Sequence, residues 1–515
     1  MNLSNFLSMK TFSLQKSLAV LITATACALP LTGCDLQLGN SDDNDSSSGG
    51  TGGGGSGTGG GSSGGDDDGR DGDDGGAIIG TLTDASRLEV NFDTNLSLGN
   101  IDIFIDGIPA DSSELEDGMV VTLVTEEDTP NNLATATVIQ LDANHLFVGP
   151  VTSTNPFSVF TQPIVTTADT ELEAISGENV ANLSVGDVVR VSGFDNRVGG
   201  ILATRVDTPP GGFALWKLRG VVENLVANDS FTIADQTIVL NGVVADCGED
   251  ELAEGDYVEV TATPDDSFDT GDDLTSTLTV SCITVALPAL RNNDEDVDFL
   301  PAQMEGIVSS VRSITEIMVD DQTVEIDSDV VYFGGTANDL VIGSKIEVEG
   351  TYNIDTQELA AETIIYHERR IFIEAPLRSQ DITVNESVNF FGVEIPITGL
   401  TVDDDLIVSS GVANNQVRLF GFTDEDQNPY AIQLSVEGAI DDEDVTVQGP
   451  VSRVGSSEVE ILGISADGGN IQSFLSSVEE EDLILIEGAE VDGSTSITGG
   501  IISEIPTMFE LRENN

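Results

Sequence analysis

Leu183-Ser184-Val185-Gly186-Asp187-Val188-Val189-Arg190-Val191-Ser192-Gly193 decides the fold. An apolar residue is followed three places later by glycine, and then by a strand of alternating apolar and polar side chains. Glycine takes the positive φ that a tight turn needs, and asparagine is the next best choice there. Beyond the turn, Val189 and Val191 are expected to face a core while Arg190 faces water. The same arrangement recurs at Leu115…Gly118, Leu252…Gly255-Asp256-Tyr257-Val258 and Leu340…Gly343-Ser344-Lys345-Ile346-Glu347-Val348. Two weaker copies run through Asn414-Asn415-Gln416-Val417 and Glu481-Asp482-Leu483-Ile484, where Glu481 is a poor turn residue.

A second marker opens most copies: Gly149-Pro150-Val151, Gly220-Val221-Val222, Gly306-Ile307-Val308 and Gly449-Pro450-Val451. A third closes them with a small residue inside a strand, as in Leu202-Ala203-Thr204, Leu359-Ala360-Ala361 and Tyr430-Ala431-Ile432. Three markers in constant order identify an internal repeat of about 60 residues. The units are expected at 77–143, 144–209, 215–286, 302–370, 371–439 and 440–515, with an acidic linker at 287–301. Helical periodicity is nearly absent, and only Ser465 to Glu481 has room for a short helix. A small open sheet exposes its edges, so closure is the natural solution. The expectation is all-β: a tandem array of small OB-like or SH3-like β-barrels. Units of this size bury little of their surface alone and should pack on one another.

The N-terminus adds an address. Lys10 and Lys16 precede an apolar run from Leu18 to Leu31 that is too short for a stable membrane span. The run ends in Leu31-Thr32-Gly33-Cys34, which resembles the lipobox of bacterial lipoproteins. That resemblance implies a signal peptide over 1–33, cleavage before Cys34 and lipidation of Cys34. Residues 34–76 are mostly Gly, Ser, Asp and Asn with almost nothing apolar, which reads as a flexible tether with a mean reach on the order of 35 Å. Lipobox, tether and the three repeat markers together resemble a family of bacterial lipoproteins with tandem small β-barrel domains of unknown function. The resemblance implies export and anchoring in the cell envelope, at the outer membrane or the periplasmic face of the inner membrane. It implies no activity.

Charge narrows the partners. The chain carries 18 Lys and Arg against 91 Asp and Glu, a net charge of −73. Phosphate backbones need clustered cations, so nucleic acid is excluded as a partner. Such a surface keeps a protein dispersed, and its self-repulsion should make the fold salt-assisted.

Candidate sites are sparse. Cys247 and Cys282 form an even pair suited to a disulfide in an oxidising compartment, worth about 3–4 kcal/mol by loop closure. Two buried free thiols are the alternative. His145 and His367 lie in different units beside apolar strand residues, which favours structural roles over zinc or nucleophilic chemistry. Asp424, Asp426 and Asn428 have alternate-oxygen spacing and are weak calcium candidates, as are Asp294, Asp296 and Asp298. Pro429 stands where an EF-hand loop needs glycine, so only weak surface binding is expected, with solvated turn carboxylates as the alternative. No other cofactor is expected. Trp216, Tyr352, Phe194 and Phe422 could stack on sugars, although core packing is their ordinary role. Glycine-rich motif matches within the tether lack the strand–turn–helix setting that gives them meaning.

The sequence therefore leads to a lipid-anchored envelope protein that is non-enzymatic and contacts an envelope protein or a polysaccharide. A polysaccharide- or calcium-binding module is the alternative. An enzyme acting on envelope glycans is a more distant one, because no catalytic constellation is visible.

Overall fold

The computed structural model describes residues 76–91, 96–125, 133, 136–173, 175, 179–197, 200–209, 215–227, 229–240, 252–262, 277–279, 282–285, 299–320, 322–366, 369–403, 405–424 and 426–504. All belong to one of the two units into which the chain divides, residues 53–515. The signal segment, Cys34, Cys247, His367, the acidic trio at Asp294 and almost all of the tether and linker fall outside them.

Strands built on the alternating pattern run through coil 1 (77–143), coil 2 (147–207), coil 3 (216–285), coil 4 (299–365), coil 5 (369–439) and coil 6 (445–504). Coil 4 shows the common course. Its strand Phe299–Ser313 pairs antiparallel with Glu316–Val319 and with Lys345–Asn353. Gln322–Phe333 follows as a hairpin partner, then a one-turn 3₁₀ helix, Ala337–Asp339. The last strand, Glu358–Ile365, lies antiparallel to Lys345–Asn353 and parallel to Gln322–Phe333. Among the described residues, helix is confined to such single turns, including Ile471–Phe474 within the stretch Ser465 to Glu481.

The turn glycines have positive φ, +95° at Gly186 and +95° at Gly343, and each donates its N–H to the first strand of its coil. Gly343 N reaches Val308 O at 2.8 Å and Gly186 N reaches Val151 O at 2.8 Å. Glu481, although a poor turn residue, occupies the same place: its φ is +81° and its N–H donates to Val451 O at 2.8 Å. Coil 5 departs from the rule, because Asn414 and Asn415 already lie in a strand and Gly411 carries the positive φ behind the one-turn helix Ile407–Ser410.

Alternation places Val189, Val191, Ile346 and Val348 in the core, each at most 1% exposed. The polar side of those strands is not simply wet. Glu347, although its place in the alternation reads as solvent-facing, is 1% exposed and accepts a 2.5 Å hydrogen bond from Gln303 Nε2 on the first strand of the same coil.

The expectation of small OB-like or SH3-like barrels standing apart is corrected. The chain is all-β, but its strands are stacked as coils of a β-solenoid. The ladders that join coils overturn separate beads: two sheets of 11 strands and one of 9 run through more than one coil. Coil 1 joins coil 4 through a parallel ladder, Ala77↔Ala302 to Ile79↔Met304. Coil 2 meets coil 3 at Val148↔Lys217, and coil 5 meets coil 6 from Phe372↔Gln448 to Glu374↔Thr446. The cores fuse as well. One cluster fills coils 5 and 6, another coils 2 and 3, and Phe194, Leu202, Ile307, Leu400, Phe422, Tyr430 and Ile432 join coils 2, 4 and 5. Joining ladders satisfies edge groups that an isolated unit would leave bare.

Candidate functional site

The chemistry-bearing side chains gather in the seams between coils. In the first seam, Asp106 from the turn of coil 1 meets coils 2 and 3. Its Oδ2 lies 2.7 Å from His145 Nδ1, and its Oδ1 accepts from Lys217 Nζ at 3.0 Å. Lys217 also lies 3.0 Å from Glu259, which accepts a second cation, Arg219, at 2.6 Å. Burial pushes the Asp106 carboxyl up, but the His145 hydrogen bond and the Lys217 charge outweigh it and hold the group well below the usual carboxylate range. Glu259 is lowered for the same reason: Arg219 and Lys217 overcome its burial.

The second seam centres on Arg205, which is 2% exposed. Its Nε donates to Asp207 at 2.8 Å, its Nη1 to the carbonyl of Asp117 at 2.8 Å and its Nη2 to Glu116 at 2.5 Å. Glu173 is a further partner. Arg190 holds the other side of Asp207 with two bonds, of 2.5 and 2.9 Å. Coil 1 is thereby fastened to coil 2 by the buried Arg205 guanidinium, with the partly exposed Arg190 3.6 Å from Glu116 beside it.

The third seam joins coils 1 and 4. Glu305, 2% exposed, accepts from Thr81 N at 2.8 Å and Thr81 Oγ1 at 2.6 Å, while its other oxygen lies 3.0 Å from Lys345 Nζ. Beside it, coils 2, 3 and 4 meet at Asp195, Arg197, Tyr257 and Asp320. Tyr257 donates its hydroxyl to Asp195 at 3.1 Å, and the Arg197 guanidinium stacks on the Tyr257 ring. Burial raises Asp195 against the pull of Arg197. Burial also pushes Asp320 up to about 7, where Arg197 and the Ile307 N–H oppose it and Asp195 and Glu305 reinforce it. A last clamp, Arg370, reaches from coil 5 to Asp339 and to the Gly334 carbonyl of coil 4 at 2.8 Å.

Sequence reading placed few of these groups. Asp106, Arg205, Glu305 and Asp320 belong to no spacing motif. Asp320 occupies a hairpin turn of φ +47°, and the matching turn residue is Asn91 (+53°) in coil 1, Phe160 (+53°) in coil 2 and Leu462 (+54°) in coil 6. Asp, Asn, Phe and Leu fill this turn in the four coils, so only the backbone betrays the repeat. The glycine of the second marker is the legible half of this device: a Cβ on Gly306 would lie 2.7 Å from Val319 and from Asp320, and one on Gly149 2.2 Å from the Phe160 ring.

The residues singled out in the sequence are dispersed. His145 is 1% exposed and bound to Asp106. Asp424 uses its carboxylate on its own loop, accepting from Asn428 N at 2.7 Å and Asn428 Nδ2 at 3.1 Å. No group of three or more His, Cys, Asp and Glu able to hold a metal occurs among the described residues. Cys282 is disulfide-bonded, while Cys247 lies outside the described residues. Phe194, Tyr352 and Phe422 are each 2% exposed and Trp216 is 7% exposed, so these rings belong to the core and offer no stacking platform. Among the described residues no helix is long and apolar enough to cross a membrane.

Comparison with known families matches this picture of repeats. Three stretches, residues 148–207, 219–268 and 305–364, match the family described as Domain of unknown function (DUF5666). The chain carries that domain in tandem, three times over. The matches fall in coils 2, 3 and 4, where the three sequence markers are clearest. No curated protein matches the chain.

The charge distribution has one consistent consequence. Each Lys and Arg whose side chain is described pairs with a carboxylate or, for Arg197, stacks on Tyr257 beside Asp195 and Asp320. These cations hold coils together and clamp strands.

Proposed function

We propose that this protein is a lipid-anchored, non-enzymatic interaction scaffold of the bacterial cell envelope. The reading is supported above all by the pairing of the described cations with carboxylates. Paired in seams and on strands, they give the scaffold rigidity and leave an acidic exterior suited to basic or neutral partners. Buried charge pairs are costly to break one-sidedly, so the seams hold the coils in fixed relation. The anchor rests on the lipobox-like Leu31-Thr32-Gly33-Cys34 and the glycine-rich stretch behind it. Perturbed carboxylates such as Asp320 lie in seams that join coils, a structural rather than a catalytic setting.

Cells expressing the full chain test the anchor. The wild-type protein should sediment with membranes and incorporate labelled fatty acid, and Cys34→Ser should lose the label and become soluble. A wild-type protein that is unlabelled and soluble would refute the anchored reading.

A further inference from the structure

Coil 5 breaks the pattern of the other coils at one end, and there it exposes apolar side chains. The one-turn helix Ile407–Ser410 stands where coils 1, 2 and 4 have a 3₁₀ turn. It buries Ile407 and Val408, each 2% exposed. Around it Val384 is 49%, Leu406 62% and Val412 69% exposed. The three border the same one-turn helix. A Cβ on Gly411 would lie 2.6 Å from Val384, Asn385 N donates to Val408 O at 3.4 Å, and Leu406 and Val412 flank the helix on either side.

Leu406 carries two local penalties at once. Its backbone is left-handed, φ +54° and ψ +35°, a conformation that suits glycine or asparagine and strains a leucine. Its side chain also lies in water. Asp403 locks this geometry by accepting from Ile407 N and Val408 N, each at 2.8 Å.

We propose that Val384, Leu406 and Val412 form a docking surface for a basic polypeptide segment that carries apolar side chains. Charge selects the occupant. The segment Ser379–Ala413 holds six acids and no Lys, Arg or His, and Glu386 and Asp405 are exposed beside the apolar residues. An anionic bilayer and a second copy of this acidic chain are both repelled. The proposal rests on the scaffold reading for its biological sense, but its test does not involve the anchor.

The test uses the purified full chain in 150 mM NaCl and two labelled peptides, one alternating Leu and Lys and one alternating Ser and Lys, read by anisotropy. The Leu–Lys peptide should bind at least ~10-fold more tightly than the Ser–Lys peptide. Leu406→Asn and Val412→Ser should each remove most of that difference without lowering Tm, while Ile314→Ser, on the distant exposed tip of coil 4, should leave it intact. Equal binding of the two peptides, or no effect of Leu406→Asn, overturns the proposal. Leu406-dependent association with zwitterionic vesicles or a Leu406-dependent dimer, without the peptide preference, overturns it in favour of a bilayer or a second copy.

Discussion

Gly193 faces Ala203 across the antiparallel ladder of coil 2, at the point where the register shifts by one residue. The two strands approach so closely that a Cβ on Gly193 would lie 2.1 Å from Leu202 O. The same pairing joins Gly350 to Ala361 in coil 4 and Gly421 to Ala431 in coil 5. Two markers that look independent in the sequence are therefore the two halves of one contact, which bends the last strand back toward the hairpin. Gly193→Val should destabilise the protein by about 2–3 kcal/mol, read by urea unfolding, because the obstacle is backbone and cannot swing away.

Arg205 and Arg87 make a matched pair of tests. Arg205→Met leaves Asp207 buried, with only Arg190 to hold it, and should cost about 3–5 kcal/mol. Arg87, whose side chain is 67% exposed, pairs with Asp84 in solvent, and Arg87→Met should cost less than ~1 kcal/mol. Chemical denaturation of the two variants side by side checks the contrast.

Asp320 sets a pH dependence. Its folded pKa, about 7, lies above the ordinary 3.8, so the native state holds a proton that the unfolded chain has released. Its contribution to stability is full below the unfolded value and is lost as pH rises through about 7. The wild-type Tm should therefore fall between pH 5 and pH 8, and Asp320→Asn should flatten that part of the profile. A variant profile with the same slope as wild type would assign the effect elsewhere.

Salt should stabilise. A chain of net charge −73 with its cations already paired repels itself over a Debye length of about 10 Å at 0.1 M salt. Melting temperature should rise from low to molar NaCl. A flat or falling curve would mean that internal ion pairs, which salt weakens, dominate over surface repulsion.

Strands, turn positions and repeat spacing were legible because each follows from a local rule: alternation, positive φ at Gly186 and Gly343, small residues at close approach. Even Glu481 kept its turn, since the hydrogen bond to Val451 fixes the backbone whatever the side chain. Partnership between coils was not legible. Coil 1 docks on coil 4 through Ala77–Ile79 and the Thr81–Glu305 bonds, and nothing in the alternation marks those residues as an interface. The seam charges were hidden for a related reason. Arg190 and Glu347 stand at positions that read as solvent-facing on a single strand, and only the strand beside each, with Asp207 and Gln303, shows them to be paired. The turn occupied by Asp320 was invisible because Asn91, Phe160 and Leu462 fill it elsewhere.

Fusion of coils distant in sequence is tested most directly by hydrogen exchange on Glu305→Ala. Removing this carboxylate takes from Thr81 both of its bonds to Glu305 and from Lys345 one of its carboxylate partners, so protection should fall together in Ala77–Asp84 of coil 1 and Phe299–Ser313 of coil 4. Loss of protection in Phe299–Ser313 with Ala77–Asp84 unchanged would contradict the account, since it would mean that the two coils stand independently.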